Sequence, residues 1–115
     1  MPYFGGVFYW RITMKFFEMI YHSGPEDFEV DFYKDNNEKS RRHFFNKLMN
    51  DAKQSLKDTK EDPSLCIELR NYLLASEQEA IDALANMKDD FIKKGRAHFD
   101  SYISLVVAER TIKEV

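Results

Sequence analysis

The chain has 115 residues, 43% hydrophobic and 32% charged, with a formal net charge of −3 and one cysteine. This is globular usage: it excludes wholesale disorder and supports one domain over residues 1–115, large enough to bury a core without cross-links. The lone Cys66 excludes an internal disulfide and a cysteine-rich zinc site, which points to a reducing, cytoplasmic home.

The charge is unevenly placed. Residues 1–33 carry Arg11 and Lys15 against Glu18, Glu26, Asp27, Glu29 and Asp31, whereas residues 34–115 are balanced, so the excess negative charge lies entirely at the front. The same segment holds 11 of the 17 aromatic residues and is therefore chemically distinct from the rest of the chain. No basic region precedes the apolar residues of 1–9, and Arg11, Lys15 and Glu18 interrupt the stretch beyond, a pattern of neither a signal peptide nor a membrane span. Met1 and Met14 are both candidate starts.

Residues 7–16 alternate, with Phe8, Trp10, Ile12, Met14 and Phe16 on one side and Tyr9, Arg11, Thr13 and Lys15 on the other, which predicts a strand continuing to about residue 21. His22-Ser23-Gly24-Pro25-Glu26 is a turn sequence. A second strand is predicted over 27–33, with Phe28, Val30 and Phe32 on one face and Asp27, Glu29 and Asp31 on the other. Paired antiparallel, the two form a hairpin whose apolar face is expected to lie on helices.

Three helices are predicted after it. Asp35-Asn36-Asn37 supplies N-cap candidates for a helix over 38–57 with Phe44, Phe45, Leu48, Met49, Ala52 and Leu56 as its stripe. Charged residues 58–62 read as a loop, and Asp62-Pro63 as the start of a short helix over 63–75. Ser76-Glu77-Gln78-Glu79 is a capping box opening a long helix over 77–110, in which Ala85, Ile92, Phe99 and Val106 recur every seven residues. Gly95 after Lys93-Lys94 is a possible stop, but the stripe crosses it in phase and a continuous helix is the expectation. The fold class is thus α+β, an N-terminal hairpin packed on three helices.

For function, the acidic strand face with its aromatic neighbour, Glu26, Asp27, Glu29, Asp31 and Tyr33, is the candidate partner-binding surface, suited to a protein with a basic surface. An inhibitor, immunity factor or adaptor is the leading expectation. Lys39, Arg41, Arg42 and Lys47, interleaved with Phe44 and Phe45, are the candidates for an alternative nucleic-acid-binding role. Phe99, Tyr102, Ile103 and Val106, where the long helix overhangs its partner, are the expected homodimer contact. His22, His43 and His98 form no metal-binding pair, and neither a nucleophile elbow nor a phosphate loop is present, so no metal, cofactor or catalytic residue is assigned. Cys66 reads as a small core residue.

Phe32-Tyr33-Lys34-Asp35, then Lys39-Ser40, Phe44-Phe45 and Leu48, resembles the opening strand and first helix of phage-derived toxins of the HigB/RelE type, which cut messenger RNA on the ribosome. The resemblance spans about 17 residues, with Glu38 where those toxins usually have glycine and Arg41 where they often have proline. It implies a ribonuclease-like toxin as a further alternative, and it transfers no catalytic residue.

Overall fold

A computed structural model describes residues 13–113 of the chain. Its six elements are, in order, β1 (Thr13–His22), β2 (Phe28–Tyr33), α1 (Glu38–Glu61), α2 (Ile67–Lys94), β3 (Arg96–His98) and β4 (Ser104–Lys113). The fold is α+β, with the strands in one antiparallel sheet ordered β2-β1-β4-β3. The expected hairpin is present as β1 and β2, paired from Phe17 with Tyr33 to His22 with Phe28. Its expected first residues, 7–12, lie outside the described part. The centre of the sheet is the long pairing of β1 with β4, Thr13 opposite Lys113 through His22 opposite Ser104.

Two helices stand where three were expected. α1 begins as the sequence indicates: the Asn37 side chain accepts from the Ser40 amide at 2.9 Å and the Ser40 hydroxyl accepts from the Asn37 amide at 3.1 Å, a reciprocal capping box. It runs on to Glu61, so the charged stretch expected as a loop is its last turn. Asp62 does not open a new helix. Its carboxylate accepts from the Ser64 amide at 2.9 Å and the Ser64 hydroxyl at 2.6 Å, which holds a turn, and α2 starts only at Ile67. Cys66 is the exposed residue ahead of it rather than a core residue. The capping box at Ser76 lies inside α2 without interrupting it. Beside it, the Glu77 carboxylate reaches across to α1 and accepts from the hydroxyls of Ser55 and Thr59.

The second correction is at Gly95. It adopts φ 78°, a left-handed conformation that glycine accepts without penalty, and its amide donates to the Phe91 carbonyl at 2.8 Å. The helix ends there, with Lys93 and Lys94 in its last turn. Phe99 to Val106 therefore form no helical stripe. β3, a turn and β4 replace the expected helix, and Asp100 accepts from the amides of Tyr102 and Ile103 at 2.8 and 2.9 Å to hold the turn.

The core lies between the two helices and one face of the sheet. Met19 and Tyr21 from β1, Leu105 from β4 and Ala97 from β3 meet Phe44, Phe45 and Leu48 of α1 and Leu84, Met87, Phe91 and Ile92 of α2. Large side chains buried to this extent contribute about 1.5–3 kcal/mol each. All the buried residues of α1 fall between Arg41 and Leu48, and those of α2 between Ala83 and Ile92. The remaining halves of both helices pack chiefly on each other, and Ile67 and Tyr72 on that arm are 72% and 71% exposed.

Candidate partner-binding surface

The hairpin meets the helices with the face opposite to the one expected. The registers Phe17–Tyr33, Met19–Asp31 and Tyr21–Glu29 put the acidic set of β2 on the same side as the core residues Met19 and Tyr21. Phe28, Val30 and Phe32 lie on the other side, together with Met14, Phe16, Ile20, Val106, Ala108 and Ile112. No helix covers that side among the described residues. Phe28 and Phe32 are each 62% exposed, Met14 59% and Ile112 53%. Glu18 is also on this open side and accepts from Arg110 Nε at 3.0 Å.

The acidic residues remain wet on the helix side because β2 is an edge strand, displaced from the helices that cover β1. Asp31 is not free: its Oδ2 accepts from the Tyr33 hydroxyl at 3.0 Å and faces the Lys47 ammonium at 3.3 Å. Partial burial works to raise its pKa, but hydrogen bonds from Tyr33, Lys47 and the Phe32 amide outweigh that and hold the carboxyl below its ordinary value. Burial and the neighbouring Asp31 carboxylate together push the Tyr33 phenol far up. The Tyr33 hydroxyl also lies 3.0 Å from His43 Nδ1. With its own proton given to Asp31, it accepts from an N–H at Nδ1. Tyr33 stacks edge-on against His43 and Phe44, so it is fixed to α1 rather than offered outward. Glu26, Asp27 and Glu29 are exposed at the turn and along the edge.

The basic candidates are not brought together as one surface. Arg41 is buried at 8% exposure, and its Nε donates to the Ile92 carbonyl at 2.8 Å, while its terminal nitrogens donate to Asn36 Oδ1 at 2.7 Å and to the Lys93 carbonyl at 3.4 Å. It satisfies the carbonyl end of α2 and its partial negative charge, which explains why an arginine sits inside the core. Lys47 faces Asp31, Arg42 sits 4.0 Å from Glu38 on the same helix, and Lys39 is exposed. Of the expected dimer contacts, Phe99 and Tyr102 are exposed in the β3–β4 turn, Ile103 packs against the core and Val106 is on the open side of β4.

Sequence reasoning missed the open apolar side. Its signal was available in β1, where Phe16 and Ile20 point one way while Phe17, Met19 and Tyr21 point the other, leaving both faces apolar. Phe16 and Phe32 touch across the strands with ring centroids 5.8 Å apart. Beside them Met14 and Ile112 complete a shallow hollow of about 480 Å³. Among the described residues no cluster of three metal-ligating side chains occurs, and no helix is long and apolar enough to cross a membrane. No known protein family, curated protein or solved structure matches the chain.

Proposed function

We propose that the chain is a protein-binding module of the inhibitor or adaptor kind, which takes a partner with a basic surface along the edge of β2. The observation that carries this reading is the position of β2. It is an outer strand of the sheet, with no strand on its far side among the described residues and with Glu26, Asp27 and Glu29 exposed around it. An extended segment of the partner adds to that edge, and lysine or arginine side chains on it meet the three carboxylates. Asp31 and Tyr33, engaged with Lys47 and His43, shape the edge from behind. The basic-helix alternative has less support, since Arg41 is spent on α2 and Lys47 on Asp31.

The test is affinity capture from the source lysate, with and without nuclease, using the wild type and a Glu26→Lys/Glu29→Lys variant. A stoichiometric protein retained by the wild type after nuclease treatment, and lost by the variant at unchanged thermal stability, is the expected result. Equal retention by both, or retention of nucleic acid alone, refutes the assignment.

A further inference from the structure

We propose that the open face of the sheet is the contact surface of a symmetric homodimer, a second copy of this chain stacking on it face to face about a twofold axis parallel to β1 and β4. The surface lies on the other side of the sheet from Glu29 and Asp31, and it shares only Glu26 and Asp27, at the turn, with the proposed partner-binding edge. An antiparallel sheet with one face in water carries polar residues on that face. Here the outward residues of the two central strands include Phe16, Ile20, Val106 and Ala108, all partly buried already, beside the exposed Met14 and Ile112. Such strands are written for a sheet covered on both sides.

The charges on this face select the occupant. At its centre Glu18 and Arg110 neutralise one another at 3.0 Å, so the face offers a charged partner little to recognise and opposes no like charge to its own copy. At its two edges the signs differ. Glu26 and Asp27 lie beside the start of β2, and Arg96 lies on β3 at the opposite edge, near the same end of the sheet, since His22 pairs with both Phe28 and Ser104 and Arg96 with Val106. A twofold axis along the strands lays β2 of one copy over β3 of the other and brings these opposite charges together. An axis across the strands would instead lay β2 over β2 in the reverse direction and keep Glu26 and Asp27 of either copy away from Arg96.

The area suits a weak, reversible contact. β1 and β4 have ten residues each and β2 has six. At about 3.3 Å per residue and ~4.8 Å between strands they give a footprint of about 400 Å² per copy, or ~800 Å² for the pair before side-chain relief is added. An interface at this small end dissociates on the order of ten micromolar. Aligned sheets stack with ~10 Å between them, a spacing that side chains of this size fill.

The test is sedimentation of the full chain from about 1 to about 200 µM, the range over which a micromolar dimer dissociates. The wild type should pass from monomer to dimer. Phe32→Lys and Met14→Lys, at positions already more than half exposed and so tolerated by the fold, should each weaken association at least about tenfold. Arg96→Glu should weaken it too, and adding Asp27→Lys should restore it. Glu29→Lys, on the other side of β2, should leave it unchanged. A wild type that stays monomeric overturns the proposal, leaving the face to residues 1–12 or to a foreign protein. A dimer indifferent to Phe32→Lys and Met14→Lys in variants of native circular dichroism overturns it equally. A check needing no substitution is a mixed sample of differently isotope-labelled copies. Intermolecular contacts between the methyls of Ile20 and Val106 are expected, and their absence in a dimeric sample refutes the arrangement.

Discussion

Replacing Arg41 by methionine tests whether this residue is a fastener of the fold or part of a basic surface. Methionine keeps much of the aliphatic stem but removes the two short hydrogen bonds, 2.8 Å to the Ile92 carbonyl and 2.7 Å to Asn36. Hydrogen bonds to a charged group contribute about 1.5–3 kcal/mol each, and a buried carbonyl left without a partner costs ~1–3 kcal/mol. These terms overlap, since the lost bond and the orphaned Ile92 carbonyl are one event, and the 3.4 Å contact to Lys93 adds little. The expected loss is therefore about 3–4 kcal/mol, a large share of the ~5–15 kcal/mol that holds a domain together. In urea, with a mid-range slope of ~2 kcal/mol/M, the midpoint should fall by about 1.5–2 M at constant slope. Arg41→Lys should recover only a minor part, because an ammonium retains the favourable charge at the helix end, worth ~0.3–1 kcal/mol, but cannot span Ile92 and Asn36 together. The reasoning fails if Arg41→Met lies within about 0.5 kcal/mol of wild type, the range of ordinary surface substitutions.

Two further substitutions test other joints. Gly95→Ala forces a side chain into the left-handed region at a cost of about 1–2 kcal/mol, with ordinary contacts of 3.7 Å to Arg41 Cδ and Val107 Cγ2. Thermal unfolding should show the loss, and an unchanged midpoint would mean that α2 does not need glycine to stop. Asp31→Asn probes the acid limb of stability. Because the folded-state pKa of Asp31 is lowered, the stabilisation it brings is present above the unfolded value of ~3.9 and disappears as pH falls through the folded value. The variant should therefore be less stable than wild type at neutral pH and lose less on acidification below about pH 4. Parallel stability curves for the two proteins would show that the contacts to Tyr33 and Lys47 do not favour the ionised carboxyl.

The legible parts of the chain were those fixed by neighbours in sequence. Asn37 and Ser40 cap each other within one turn, so the start of α1 could be read directly, and the alternation from Phe28 to Phe32 marked β2 as a strand. What alternation leaves open is which side faces inward. In β2 that choice is made by β1, whose Met19 and Tyr21 enter the core and carry Asp31 and Glu29 to the same side by register. The acidic residues tolerate that side only because an edge strand leaves them in water or, for Asp31, within reach of Lys47. The long helix failed for a related reason. Ile92, Phe99 and Val106 keep a seven-residue spacing, but Ile92 is core on α2, Phe99 is in a turn and Val106 faces outward on β4. The stop signal of Lys93-Lys94-Gly95 was local and physically specific, whereas the stripe across it was a coincidence of spacing. Likewise the box at Ser76 has the right letters, yet it lies inside the continuous α2, and the neighbouring Glu77 packs onto Ser55 and Thr59 of α1, a tertiary contact that sequence spacing does not display.

These misreadings share a cause that bears on the open face. A helical stripe and a two-faced apolar strand both place hydrophobic residues at irregular short intervals, so Ile103, Leu105, Val106 and Val107 fit either. In a strand with one wet face, Val106 and Ala108 would have no reason to be apolar. They are apolar in β4, and Phe16 and Ile20 are apolar in β1 at the paired positions beside them. A lone hydrophobic residue on a surface needs no explanation, but a contiguous set across three strands exceeds what a monomer ordinarily leaves in water. The property that disguised β4 as a helix is therefore the same property that calls for a second layer on the sheet. Polar replacement at Val106 and Ile20 should leave the strand pairing in place while removing the need for that layer, which separates the requirements of the fold from those of the assembly.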